Sequence, residues 1–229
     1  MPHHERPRPP GAPAPAPLAS RVEATLLTPW ARPAEIRALC EEACALQVAA
    51  VCVQPFHAPL ARKLVAGSRV RVACVVAFPG GGAPADVKAL EARRAVEAGA
   101  EELDAVLNLA AIRAGGWGAV EEELGAVRSA APGATLKWIV ETAALEEAEI
   151  RQAVRHVAAS GADYVKTSTG YGPGGATVGS VSLLRSLAGP MGVKASGGIR
   201  TRAFALELVA AGADRIGTSA ARAVVEGGA

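Results

Sequence analysis

The feature that most constrains the fold is an alternation of two kinds of segment along the chain after residue 20. Short runs rich in β-branched residues lead into polar or glycine-bearing turns, and stretches rich in Ala, Leu, Glu and Arg follow them. This alternation is typical of a parallel sheet whose strands are connected through helices. It predicts strands near residues 23–27, 50–53, 69–77, 102–107, 135–141, 164–167, 192–195 and 215–217. It predicts helices near residues 33–46, 59–66, 84–98, 119–130, 145–159, 178–187, 200–210 and 219–226.

Eight repeats of strand and helix favour an α/β protein with a closed (β/α)8 TIM barrel in a single domain. A doubly wound open sheet is the alternative. The first twenty residues hold seven of the sixteen prolines. They predict a disordered Pro/Ala-rich tail over residues 1–20, followed by the barrel over residues 21–229. His3 and His4 lie in this tail, where solvated side chains are expected rather than a metal pair.

Composition argues against several classes of partner. The formal net charge is +2 and no basic run interleaves with aromatic residues, so no nucleic-acid partner is expected. No apolar run approaches the roughly 18 residues of a membrane span, and the tail lacks the apolar region of a signal peptide. The four cysteines form no Cys-x-x-Cys motif, which favours the cytoplasm. Cys40 and Cys44 share one helical face, where a place in the core is favoured over metal binding.

An internal repeat aligns residues on different strands. The segments "AGAEELDAV", "SGADYVKTS" and "AGADRIGTS" each carry a glycine suited to the left-handed residue after a helix. Five residues after these glycines stand Asp104, Lys166 and Gly217. In a barrel, equivalent positions on alternate strands form one inward-pointing layer. We therefore expect Asp104 and Lys166 to face each other inside the barrel.

Three lysines, Lys137, Lys166 and Lys194, stand near strand ends. Lys166 and Lys194 precede small residues and glycine turns in "KTSTG" and "KASGG", at the strand ends where barrel active sites lie. Each alone is also explained by a lysine that extends its charged end to solvent. Together with an inward aspartate they suggest chemistry, since burial and a neighbouring cation lower a lysine pKa from about 10.4. A neutral lysine can form a Schiff base with a carbonyl, and an aspartate can transfer protons.

Glycine-rich loops follow the last three strands. They read "TGYGPGG", "SGGIR" and "GTSA", and backbone amides in such loops bind phosphate. Tight turns alone are the alternative explanation. Neither a Walker A motif nor a G-x-G-x-x-G fingerprint is present, so no Rossmann cofactor is expected, and the four histidines form no metal cluster.

These segments resemble the deoxyribose-phosphate aldolase family from residue 22 to about residue 226. The resemblance rests on "YVKTSTGYGPGGAT", "VKASGGIR", "RIGTSA" and "ELDAVLNLAAIR", and also on "EATLLTP", "VCVQP", "VVAFPGG" and "LKWIVET". It implies a (β/α)8 class I aldolase without metal or organic cofactor, which splits 2-deoxy-D-ribose 5-phosphate into D-glyceraldehyde 3-phosphate and acetaldehyde. It also implies small phosphosugar and aldehyde partners, and a homodimer or homotetramer.

The resemblance assigns roles to residues of this chain. It makes Lys166 the Schiff-base lysine, Lys194 the cation that favours its neutral form, and Asp104 the proton relay. Cys52 matches a strand-2 cysteine of the family that the chemistry does not require. Thr169 is expected to position the substrate. The residues expected around the phosphate are Gly170, Gly197, Gly198, Gly217 and Ser219.

The chain departs from the family pattern in its first strand. The usual opening Ile-Asp-His-Thr-Leu-Leu-Lys-Pro reads "VEATLLTP" here, with Glu23, Ala24 and Thr28 at the altered positions. Further departures are Gln54, Ala77, Gly80 and Ala220. We expect none of them to touch the trio of Lys166, Lys194 and Asp104, and we expect substrate handling rather than chemistry to change. The alternatives are another Schiff-base aldolase, a phosphosugar isomerase barrel, or a non-catalytic phosphosugar-binding member of the family.

Overall fold

A closed barrel of eight parallel strands forms the centre of the computed structural model, which describes residues 17–227. Each strand pairs with the next along the chain, and β8 pairs with β1 to close the barrel. The expected (β/α)8 barrel is confirmed, and the open doubly wound sheet is wrong. The strands are β1 Val22–Leu26, β2 Ala50–Val53, β3 Arg71–Val76, β4 Glu102–Val106, β5 Thr135–Ile139, β6 Tyr164–Lys166, β7 Gly192–Ser196 and β8 Arg215–Thr218.

Helices connect successive strands and surround the barrel. The α-helices are α1 Pro33–Leu46, α2 Ala58–Leu64, α3 Ala85–Glu97, α4 Leu109–Arg113, α5 Trp117–Ala130, α6 Glu147–Ala159, α7 Val178–Leu187 and α8 Arg202–Ala210. Short 3-10 turns lie at Leu18–Arg21, Pro55–His57 and Thr142–Ala144, and a π-helix lies at Ala223–Gly227. Within residues 17–227 no helix has the length and apolar character to cross a membrane.

Several element ends differ from the expectation for physical reasons. Strand β5 stops at Ile139 because Glu141 adopts a left-handed conformation, with φ 52°. Helix α8 begins at Arg202 because the Thr201 hydroxyl caps it by accepting a hydrogen bond from the Phe204 amide. The short helix α4 was not predicted. The helix expected over 219–226 is replaced at its end by the π-helix.

The barrel domain begins earlier than expected. Residues 1–16 of the expected tail lie outside the described residues. Residues 18–21 form a 3-10 turn, and the Leu18 side chain packs into the core. An apolar contact of this kind holds the segment against the barrel, so assigning residues 17–20 to a disordered tail was wrong.

The apolar core has two parts. The larger part lies between the outer faces of the strands and the helices, and it contains the buried Trp138 and the buried Cys40. A smaller patch lies inside the barrel along β1, β2 and β3, and it consists of Leu27, Ala50, Cys52, Ala73 and Val75. Charged side chains line much of the remaining barrel interior, and the following section describes them.

The turns that lead into the strands confirm the repeat seen in the sequence. Gly99, Gly161 and Gly212 have φ values of 106°, 73° and 113°, which favour glycine. Because each turn starts its strand in the same register, the residues five positions later lie on the inner side of the barrel. They are Asp104, Lys166 and Gly217.

Candidate active site

Two lysines stand side by side inside the barrel. Lys166 is the last residue of β6, and Lys194 is its register partner on β7. Both side chains are buried, with only 2% and 0% of their surface exposed. A buried ammonium needs a compensating charge, so the carboxylates nearby determine what these lysines can do.

Asp104 on β4 binds both lysines. Its Oδ2 lies 2.6 Å from the Nζ of Lys166 and 2.6 Å from the Nζ of Lys194. Its Oδ1 lies 2.9 Å from the Nζ of Lys137. Burial alone would raise the pKa of Asp104, but the three lysine charges outweigh burial and hold that pKa well below its usual value. Asp104 is therefore a permanent carboxylate, and the expected contact between Asp104 and Lys166 is confirmed.

Lys194 keeps its positive charge. Burial would lower its pKa, but the Asp104 and Glu23 carboxylates together raise it above the ordinary lysine value. Lys194 is therefore a fixed cation beside Lys166.

A cavity opens above this cluster at the carboxyl ends of the strands. Its volume is about 260 Å³, and residues from the ends of β1, β6, β7 and β8 line it. Among Lys137, Lys166 and Lys194, only Lys166 reaches its wall. The other lining residues include Thr25, Thr28, Thr169, Gly170, Gly197, Gly198, Arg200, Gly217 and Ser219.

The glycine loops form one wall of the cavity at close packing distance. Gly197 has φ 92°, and a Cβ atom there would lie 2.9 Å from the Cα of Gly175. A Cβ on Gly217 would collide with the Ser196 Oγ. Gly170 and Gly198 also have left-handed φ values. Gly170, Gly197 and Gly198 thus favour glycine for their backbone conformation, and Gly217 favours it for lack of space beside Ser196. The result is a wall made largely of backbone.

Comparison with known proteins decides the family. The family model described as DeoC/LacD family aldolase matches residues 20–227. The chain belongs to this family of aldolases. The aldolase is 47% identical over 212 residues to the deoxyribose-phosphate aldolase of Deinococcus radiodurans, covering 92% of this chain and 96% of that protein.

Further relatives agree along nearly the whole chain. The deoxyribose-phosphate aldolase of Mycobacterium avium is 48% identical over 221 residues, covering 94% of this aldolase and 98% of the relative. The solved structure of the tetrameric deoxyribose phosphate aldolase from Aeropyrum pernix superposes with a TM-score of 0.85 at 39% identity. That match covers 91% of this chain and 89% of the other.

Lys137 lies in the interior of the aldolase, although we expected no role for it from the sequence. Its Nζ lies 2.6 Å from Glu102 Oε2, 2.9 Å from Asp104 Oδ1 and 3.2 Å from Glu23 Oε2. Burial would lower its pKa, but these carboxylates raise it well above the usual lysine value. The sequence contained a sign of this interior position, because Lys137 is a charged residue in the largely apolar strand "TLKWIV". In the barrel it lies in register with Asp104.

Glu23 corrects an expectation. We expected the altered first strand to leave the trio untouched, but the Glu23 carboxylate forms a buried ion pair with Lys194. Burial would raise the pKa of Glu23, while Lys137 and Lys194 lower it. Glutamate on β1 therefore takes part in the charge balance of the cluster, and it does so from the position where the family pattern has aspartate.

Glu141 fixes the loop after β6. Its buried carboxylate accepts hydrogen bonds from the Thr169 amide, at 3.0 Å, and from the Thr169 hydroxyl. The Tyr171 amide in turn donates to Thr169 Oγ1 at 3.0 Å. Thr169 thus lies at the cavity as expected, while its hydroxyl is used to hold the loop. Arg200, quoted in "SGGIR" without a role, also lines the cavity.

Proposed function

We propose that this aldolase cleaves 2-deoxy-D-ribose 5-phosphate to D-glyceraldehyde 3-phosphate and acetaldehyde through a Schiff base on Lys166. The observation that carries this proposal is the position of Lys166 at the cavity wall, beside the Lys194 cation and within hydrogen-bond distance of Asp104. The names of the most similar relatives support the same substrate.

The reaction begins at the Lys166 amine. In its neutral form the amine attacks C1 of the open-chain sugar, and the resulting carbinolamine loses water to give an iminium ion. The Lys194 charge favours the neutral amine at the start of this step. Lys194 is hydrogen-bonded to two carboxylates and does not line the cavity, so it serves as the fixed cation and Lys166 as the nucleophile.

Carbon–carbon cleavage follows from the iminium ion. The C3 hydroxyl loses its proton, the C2–C3 bond breaks, and its electron pair moves toward the nitrogen to form an enamine. The proton passes to a water molecule that Asp104, which remains ionised, orients. Glyceraldehyde 3-phosphate leaves, C2 gains a proton, and water hydrolyses the iminium ion to release acetaldehyde and free Lys166.

The glycine loops hold the phosphate of the substrate in this proposal. Gly170, Gly197, Gly198 and Gly217 bring the backbone close to the cavity, and Ser219 adds a hydroxyl. Arg200 supplies a positive charge at the same wall. Backbone donors and one guanidinium suit a phosphate of two negative charges.

A coupled assay for glyceraldehyde 3-phosphate tests the function. Wild type and Lys63→Ala, which alters an exposed lysine on α2, should release the product from 2-deoxy-D-ribose 5-phosphate. Lys166→Ala should release none above background. Equal product from Lys166→Ala and wild type would refute the Schiff-base role, and no product from folded wild type would refute the substrate.

We also infer that the aldolase forms a homodimer or homotetramer in the cytoplasm. The tetramer of the Aeropyrum pernix relative supports assembly, and four free cysteines suit a reducing compartment. Light scattering after size-exclusion chromatography tests the assembly, and a monomer at micromolar concentration would contradict it.

A further inference from the structure

A second pocket lies at the opposite end of the barrel, where the strands begin. Its volume is about 370 Å³, and the aldolase reaction proposed above does not use it. The polar side chains that line it are those of Ser20, Arg69, Arg71, Thr135, Asp163, Tyr164 and Arg215. Three of these seven residues are arginines, so the pocket has an unusual concentration of positive charge.

Two of the arginines meet at one carboxylate oxygen. Arg71 Nη1 lies 3.5 Å from Glu102 Oε1, and Arg215 Nη2 lies 3.7 Å from the same oxygen. The Arg215 side chain is 18% exposed, and its Nη1 is buried without a hydrogen-bond partner in the described part of the chain. The Arg71 side chain is half exposed and lines the pocket, so its guanidinium retains donors for a ligand, while Arg215 adds a fixed positive charge in the same wall.

The carboxylates at this end are committed elsewhere. Glu102 also binds Lys137, with its Oε2 2.6 Å from the lysine Nζ. Asp163 lines the pocket, but its Oδ2 accepts hydrogen bonds from Arg128 Nη2 at 3.0 Å and from the Leu136 amide at 2.8 Å. Arg71 and Arg215 thus share Glu102 with Lys137, and Arg215 Nη1 also lies 3.7 Å from Glu23 Oε1. Positive charge remains in excess at the pocket wall, because its lining residues include three arginines and one acidic residue, Asp163.

We propose that this pocket binds a compact oxyanion of the phosphate type. Guanidinium groups present paired N–H donors that match the oxygens of a phosphate, and a partly buried site strengthens the attraction. Thr135 and Tyr164 line the same wall, and each carries a hydroxyl group. Arg69 reaches the pocket from outside, where its Nη2 donates to the Gln47 carbonyl at 3.0 Å.

The site is separate from the glycine loops, which lie at the other end of the strands. Two phosphates can therefore occupy one chain together, and each can be removed by its own substitution. Arg69→Gln/Arg71→Gln addresses the pocket at the strand starts. Ser219→Glu places a negative charge at the glycine loops and addresses the substrate cavity.

Calorimetric titration with inorganic phosphate at low ionic strength tests the proposal, because salt screens such contacts. Wild type and the control Arg113→Gln, which alters an exposed guanidinium on α4, should bind phosphate at both sites. Ser219→Glu should keep the site at the strand starts. Arg69→Gln/Arg71→Gln should weaken that site at least tenfold, and Arg71→Lys should weaken it less. Titration with phenyl phosphate then tests whether the pocket recognises the phosphate group alone. If phenyl phosphate and inorganic phosphate bind equally tightly, the ligand is the free ion; if phenyl phosphate binds more tightly, the ligand is a phosphorylated small molecule. Both results support the site.

Two results would overturn the proposal. One is that Ser219→Glu binds no phosphate, and the other is that Arg69→Gln/Arg71→Gln binds as tightly as wild type in the Ser219→Glu background. Thermal unfolding without phosphate verifies that each variant folds. If the double variant does not fold, Arg69→Gln alone decides, because that side chain is exposed. If the glycine loops bind no phosphate, Ser219→Glu and wild type should bind phosphate equally. That result would count against the proposed substrate cavity and not against the pocket at the strand starts.

Discussion

Lys166 and Lys194 stand in register on neighbouring strands, and their ammonium nitrogens meet at one oxygen of Asp104. Each nitrogen lies 2.6 Å from that oxygen, so the two nitrogens are at most twice that distance apart. Two lysines this close repel each other, and one carboxylate oxygen serves both. Lys194 has a second carboxylate partner, Glu23, and holds its charge, whereas within residues 17–227 Lys166 pairs with Asp104 alone.

Replacing Lys194 by Met should lower kcat/KM strongly. A cation at about 5 Å contributes roughly 3 kcal/mol at an effective dielectric of about 20. In the proposed mechanism the reacting amine is neutral beside this cation, so loss of the charge should reduce kcat/KM at neutral pH by about 100-fold. Steady-state assays measure this, with Lys194→Arg as the charge-retaining control that loses less. A Lys194→Met enzyme within threefold of wild type would contradict the assigned role.

Replacing Glu23 by Gln should destabilise the barrel. The change removes a buried carboxylate from between Lys137 and Lys194, and breaking such a pair typically costs about 3–5 kcal/mol. Glu23→Asp keeps the charge and should lose less. Urea unfolding measures the free energies. Glu97→Gln, which alters an exposed pair with Arg94, is the control and should change stability by about 1 kcal/mol or less. If Glu23→Gln and Glu97→Gln lowered the free energy of unfolding equally, the buried ion pairs of Glu23 would stabilise the barrel no more than an exposed pair does.

The interior charges also predict how stability depends on pH. The pKa values of Glu23 and Asp104 are lowered, so their contribution is complete above about pH 4 and is lost as pH falls further. The pKa values of Lys137 and Lys194 are raised, so their contribution is complete below about pH 10 and is lost as pH rises further. Urea unfolding across pH should show a plateau between these limits.

The variant Glu23→Gln supplies the matched control for the pH series. Since it lacks one carboxylate with a lowered pKa, its free energy of unfolding should fall less steeply below pH 4 than that of wild type. If the free energies of unfolding of the two proteins fell equally steeply below pH 4, the lowered pKa of Glu23 would be contradicted.

Replacing Gly197 by Ala should impair recognition of the phosphate. The added methyl would meet Gly175 at a φ of 92°, and a strained backbone costs about 1–3 kcal/mol. The ratio of kcat/KM for 2-deoxy-D-ribose 5-phosphate over 2-deoxy-D-ribose should fall by roughly tenfold or more. Gly133→Ala, where a Cβ meets no atom within 4 Å, is the control and should leave the ratio unchanged. If folded Gly197→Ala left the ratio unchanged, the loop that contains Gly197 would play no part in phosphate binding.

Sequence periodicity was sufficient to place Asp104 and Lys166 on facing strands. Side chains alternate along a strand, and a helix-ending glycine at a constant offset fixes the phase of that alternation. The closed barrel followed from eight repeats. The beginning of the domain was missed because a single apolar residue, Leu18, anchors a segment whose composition otherwise resembles that of the proline-rich tail.

The partners inside the barrel could not be predicted in the same way. Glu23 and Lys137 are 114 residues apart, and only barrel closure brings β1 and β5 to one set of charges. The left-handed conformation of Glu141 likewise has no local signal, because it depends on hydrogen bonds from Thr169 across the gap to the next strand. Tertiary contacts therefore decide which charged residue becomes part of the site.

Reductive trapping tests the central claim most directly. Sodium borohydride added to the aldolase with 2-deoxy-D-ribose 5-phosphate should reduce the iminium ion and leave a stable covalent adduct. Peptide mapping by mass spectrometry should find the added mass on Lys166 alone among the five lysines of the chain, with loss of activity in proportion to labelling. An adduct on Lys194 or Lys137, or full inactivation with Lys166 unmodified, would contradict the account.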